Sequence, residues 1–111
     1  MAGTTFLVAP AYLTNAAANI YTPPASTIYR VIRHIHIANV TGGAVTFTLY
    51  VGATGGSAGG TELFKAVSVA ANSYVDYYTM QKMKSTDFLS GLASASTSLT
   101  ITVEGDEFTV P

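Results

Sequence analysis

Ala44-Val45-Thr46-Phe47-Thr48-Leu49-Tyr50-Val51 alternates strictly between apolar residues at odd positions and Ala, Thr, Thr and Tyr at even ones. Successive strand side chains point to opposite faces, so this stretch is a strand with one apolar face and one threonine-rich face. Ser98-Leu99-Thr100-Ile101-Thr102-Val103-Glu104 repeats the pattern and turns Leu99, Ile101 and Val103 inward. Both stretches are rich in β-branched residues, which suit a pleated surface.

Residues 27–40 form a longer strand of mixed character. In its second half Ile35 and Ile37 face the core, with His34 and His36 outward. Its first half carries apolar residues on both faces, which implies a bend or cover from both sides. Asn39-Val40-Thr41-Gly42-Gly43 then reads as a hairpin turn, with Gly-Gly supplying positive φ. Gly52 to Gly60 is a glycine-rich loop, mobile in isolation. Further strands are expected over 61–69, 73–79 and 88–95, with Ala70-Ala71-Asn72 between the first two. Edge strands are expected at 4–8 and 19–22, broken by Pro10 and by Pro23-Pro24. Residues 80–87 read as a helical turn or a crossing loop, and Thr14 as the cap of one helical turn over 14–18. Glu104-Gly105-Asp106-Glu107 reads as a solvated turn. About seven short strands with frequent turn signals predict an all-β, single-domain antiparallel β-sandwich of jelly-roll type. An N-terminal arm over 1–18 would precede the sandwich over 19–111.

The chain has 111 residues and 11.5 kDa, enough for one core. Only 10% of residues are charged, against roughly 25% in an average soluble protein. The net charge of -1 offers no basic footprint for nucleic acid. No run of about 18 apolar residues suggests a membrane-spanning helix. Cysteine is absent, which excludes disulfides, thiolate zinc sites and cysteine nucleophiles. The first residues lack the basic and apolar regions of an export signal, and Ala2 stands where myristoylation needs Gly. Synthesis in the cytoplasm is therefore expected.

Catalytic patterns are missing. No serine lies in a Gly-x-Ser-x-Gly setting, and the glycine loop lacks the Gly-Lys-Ser/Thr ending that cradles phosphate. The six acids, Glu62, Asp76, Asp87, Glu104, Asp106 and Glu107, mark no pair over another for acid–base work. His34 and His36 have a workable spacing for two metal ligands, but a zinc site needs further donors. Asp76, Glu62 and Glu104 belong to other segments, so the pair reads as a polar outer face or an interface. No enzyme activity, cofactor or metal is expected. Tyr74, Asp76 and Tyr78 share one face of their strand, with Val75 and Tyr77 on the other. Tyrosine combines large area with a polar tip and is favoured at interfaces. The expected interface residues are thus Tyr12, His34, His36, Tyr74, Asp76 and Tyr78. A surface of Thr, Ser, Ala, Gly and Tyr has little charge to keep neighbours apart, which points to an assembly component.

Several stretches resemble a group of small virion proteins of tailed bacteriophages. They are Ala18-Asn19-Ile20-Tyr21-Thr22-Pro23-Pro24-Ala25-Ser26-Thr27-Ile28-Tyr29, Ile35-His36-Ile37-Ala38-Asn39 and Ala44-Val45-Thr46-Phe47-Thr48-Leu49-Tyr50 with its glycine loop. Val69-Ala70-Ala71-Asn72-Ser73, Lys84-Ser85-Thr86-Asp87-Phe88-Leu89-Ser90-Gly91 and Leu99-Thr100-Ile101-Thr102-Val103 continue the resemblance, which spans residues 18–104. It is a likeness of successive strands and turns. It implies a structural role as a capsid decoration (cement) protein on the virion surface, or else a minor tail protein that binds a host carbohydrate. The implied partners are the major capsid protein and further copies of the chain, as a trimer in preference to a dimer. Neither nucleic acid nor a membrane is implied.

Overall fold

Alternation of β-branched and aromatic residues with small polar ones commits most of the chain to strands. The computed structural model describes residues 4–53, 55 and 59–110. Its strands are β1 (Thr4–Tyr12), β2 (Ala18–Tyr21), β3 (Ile28–Asn39), β4 (Val45–Gly52), β5 (Glu62–Val69), β6 (Tyr74–Lys84), β7 (Phe88–Ala93) and β8 (Leu99–Thr109). They form two four-stranded sheets, ordered β1-β8-β3-β6 and β2-β7-β4-β5, and every pairing is antiparallel. Apart from β4 and β5, consecutive strands lie in different sheets. This is the eight-stranded jelly roll.

The core lies between the sheets. Ile32, Ile35, Ile37, Leu99, Ile101 and Val103 from one sheet meet Val45, Phe47, Leu49, Val69 and Leu89 from the other. The inward faces expected of β4, β8 and the second half of β3 are the faces that pack. The mixed first half of β3 has a local cause, a bulge at Arg33. There the pairing with β8 steps from Ile32 opposite Gly105 to His34 opposite Glu104. The bulge resets the parity, so Arg30 and Ile32 point inward before it, and Ile35 and Ile37 after it.

Arg30 closes one end of the sandwich. Its guanidinium donates from Nε (2.8 Å) and Nη2 (2.6 Å) to Glu107 Oε1 and from Nη1 to the Tyr21 hydroxyl. It lies 4.6 Å from the Phe6 ring centroid and 5.7 Å from that of Tyr21, within cation–π range. Burial works against its charge, but the bonds to Tyr21 and Glu107 outweigh that and raise its pKa.

Several sequence expectations are corrected. Asn39 to Gly43 do not form a hairpin, because β3 and β4 belong to opposite sheets. Asn39 plugs this corner instead. Its Nδ2 donates to the carbonyls of Gly43 (2.8 Å) and Val69 (3.1 Å), and its Oδ1 accepts from Thr41 N (2.9 Å) and Oγ1 (2.7 Å). The side chain thus fixes the turn that positive-φ glycine was expected to make, and Gly42 and Gly43 have no positive φ. Residues 80–84 continue β6 rather than forming a helical turn, and the bend falls at 85–87. No helix occurs among the described residues. Thr14 Oγ1 donates to the Ala16 carbonyl (2.6 Å), whereas a cap would accept from an N–H. Glu104 to Glu107 are not a turn but lie within β8. In the segment expected as an arm, residues 4–12 pair with β8 and Leu13 is buried in the core. Of the glycine loop, residues 54 and 56–58 lie outside the described residues.

Candidate functional site

The outer face of the β1-β8-β3-β6 sheet is built in rows by strand register. Directly opposed residues share a face. One row runs Leu7, Glu104, His34, Tyr78 across all four strands. The next holds Thr102, His36 and Asp76, and a third Tyr12, Thr100, Ala38 and Tyr74. All six expected interface residues therefore stand on one face. Polar groups occupy its centre and apolar ones its margins. Leu7 (63% exposed), Tyr12 (52%), Tyr74 (62%) and Tyr78 (80%) stand out to solvent.

At the centre His34 Nδ1 is 2.8 Å from Glu104 Oε1, and its Nε2 is 2.8 Å from Asp76 Oδ1. His36 Nδ1 is 2.7 Å from the same Asp76 oxygen. Carboxylates only accept, so both contacts are satisfied together when both His34 nitrogens carry protons, and the geometry favours the imidazolium form. Its pKa is raised, first by the bond to Glu104 and then by that to Asp76. The Asp76 carboxyl is lowered by the bonds from His36 and His34. The Tyr78 ring stacks on His34 with centroids 4.7 Å apart and planes 8° from parallel, and Tyr74 leans on His36 at 5.3 Å. On the inner side of the same strand Val75 and Tyr77 pack against the core. Beside this cluster a depression of about 750 Å³ follows the β3 bulge, lined in part by Arg33, Met80 and Asp106. Arg33 Nη1 donates to Asp106 Oδ2 at 2.8 Å.

The expectation that no further donors stand beside the histidines is overturned. Asp76 and Glu104 lie 42 and 70 residues from His34 in the chain, yet on the two strands that flank β3. Glu62 lies on β5 of the other sheet. Sequence reasoning omitted Glu104 from the face. Continued alternation from Thr100 and Thr102, both outward, through position 104 carries the signal that places it there.

No family model and no curated protein sequence matches this chain. Solved structures share its fold. One is described as Bacillus endospore appendages that form disulfide-linked pili. It is 22% identical over 97% of this chain and 88% of that one, at a TM-score of 0.56. The nucleoplasmin-like N-terminal domain of Drosophila FKBP39 is 9% identical over 98% of this chain and 94% of that one, at 0.51. At these identities the likeness is one of fold alone. A pentameric capsid protein from metagenomic phage sequences is more remote, 17% identical over 90% of this chain and 61% of that one, at 0.43.

Proposed function

We propose that this chain is a non-catalytic structural protein of a tailed-phage virion that decorates and stabilises the capsid exterior. Its assembly surface is the outer face of the β1-β8-β3-β6 sheet. One observation carries this reading: Leu7, Tyr12, Tyr74 and Tyr78 all stand exposed on one face of a chain with 10% charged residues. An exposed apolar rim on a charge-poor surface favours being covered, and each Å² of apolar area removed from water contributes about 25 cal/mol. The likeness to phage virion proteins in successive strands and turns supports the same role.

The mechanism is mechanical. Copies associate with one another, as trimers in preference to dimers, and bind the major capsid protein. Many modest contacts then act together on a repeating lattice. Cryo-electron microscopy of the source particle tests this. Density for the jelly roll on the outside of the head shell is the expected result, and absence of the chain from the head overturns it.

A second reading rests on Tyr74 and Tyr78, whose exposed rings bracket Asp76, an arrangement suited to stacking on a sugar. On that reading the chain is a minor tail or tail-tip protein that binds a host-surface carbohydrate. Binding to a glycan array by the purified protein favours it, and location in the head contradicts it.

A further inference from the structure

Three donor atoms on the outer face converge on one point. Ligand atoms of His34, His36 and Asp76 all lie within 4.8 Å of one another. His34 Nε2 and His36 Nδ1 both contact Asp76 Oδ1, at 2.8 and 2.7 Å. From this geometry we infer that His34, His36 and Asp76 form a binding site for a first-row divalent transition ion of the zinc class.

The chemistry of the set is that of zinc, two imidazole nitrogens and a carboxylate oxygen. Tetrahedral zinc with ligand bonds of about 2.0–2.1 Å places its ligand atoms about 3.3 Å apart. The two short contacts to Asp76 therefore open by about half an ångström, and the two imidazole nitrogens, within 4.8 Å of each other, close by up to about 1.5 Å. Rotation of side chains on a partly exposed face supplies both shifts. The ligands come from β3 and β6, which pair antiparallel with His36 directly opposite Asp76. Their backbones are fixed by the sheet before any ion arrives.

A second, independent feature supports the assignment. Glu104 accepts from His34 Nδ1 at 2.8 Å, while Nε2 of the same ring points at the convergence. A carboxylate on the far nitrogen of a ligating imidazole orients the ring and raises its basicity. Glu104 is thus a positioning residue, and three protein ligands leave the coordination sphere open on the solvent side. The ion takes His34 Nε2 and His36 Nδ1 as proton-free imidazole nitrogens, so ion and proton compete for these two atoms. The carboxylate of Asp76 needs no proton change.

The inference stands apart from the virion reading, and either can fail without the other. Its test is titration of the full chain, stripped with chelator, with Zn²⁺ by calorimetry and with Co²⁺ by visible absorption. The expected result is one ion per chain, with the intense visible bands of low-coordinate cobalt bearing nitrogen ligands. His36→Ala abolishes the bands, and Glu104→Gln weakens binding about 10-fold or more with the spectrum retained. Circular dichroism confirms that each variant is folded, and the wild-type spectrum reports the ligands even if a variant is not. Absence of binding at millimolar Co²⁺ overturns the inference. So does binding that His36→Ala and His34→Gln leave unchanged, since the ion then sits elsewhere.

Discussion

Gly105 of β8 passes so close to Val31 of β3 that a Cβ at Gly105 would stand 1.9 Å from the Val31 carbonyl oxygen. The approach occurs where the β3 bulge steps the register between Ile32 and His34. A glycine inside a strand marks such a close backbone contact. The obstacle is backbone in the middle of a sheet and cannot rotate away. Gly105→Ala is expected to destabilise the protein by about 3 kcal/mol or more, as forced overpacking does. The urea midpoint of the variant checks this, and a midpoint equal to wild type contradicts it.

Asn39 holds the corner between the sheets with two donated and two accepted hydrogen bonds, and it is only 3% exposed. Asn39→Ala leaves the Val69 carbonyl and the Thr41 groups without this partner. The expected cost is about 2–3 kcal/mol. Asn39→Asp keeps the acceptor but loses both donated bonds and brings a charge into the corner, so its cost is no smaller. Thermal melts of the two variants rank them.

Much of this architecture is legible in the residues, and the failures have a common cause. Period-two alternation identifies the inward faces of β4 and β8 and the paired faces of the Tyr74–Tyr78 segment. Alternation says nothing about which strand lies beside which. Asn39 to Gly43 carries the residues of a hairpin turn, but the apolar faces of β3 and β4 are better buried against each other across the sandwich. Glu104 to Glu107 reads locally as a solvated turn, with Gly105 and Asp106 as its turn residues. Pairing with β1 and β3 on both sides overrides that local preference. The His34–Asp76–Glu104 contacts exist only through the order β8-β3-β6, which no local pattern encodes.

The imidazolium–carboxylate cluster makes stability depend on pH. His34 faces Glu104 from β8 and Asp76 from β6, and Asp76 is shared with His36. The folded His34 pKa lies above its ordinary 6.5, so its contribution is full below 6.5 and fades as pH rises through the folded value. The folded Asp76 pKa lies below its ordinary 3.8, so its contribution is full above 3.8 and fades as pH falls through the folded value. Together they contribute in full between pH 3.8 and 6.5. In metal-free buffer the urea midpoint is expected to fall from pH 6.5 towards pH 8.5, and His34→Gln to remove that fall. An unchanged profile in the variant contradicts the account.

Arg30 joins three strands of one sheet to β2 of the other through Phe6, Glu107 and Tyr21. Arg30→Met keeps an apolar stem over the rings but leaves Glu107 without its cation and the Tyr21 hydroxyl without its donor. The loss is expected to be about 2 kcal/mol, and Arg30→Lys recovers less than half of it because an ammonium cannot reproduce the fork. Chemical denaturation of the two variants decides between a packing role and a bonding role.

Light scattering on the purified chain tests the assembly surface most directly. Wild type is expected at a multiple of 11.5 kDa, three-fold in preference to two-fold, and the double variant Tyr74→Glu with Tyr78→Glu at 11.5 kDa with its fold intact by circular dichroism. A wild-type mass of 11.5 kDa at every concentration, or an oligomer that the double variant leaves unchanged, would contradict self-association through this face.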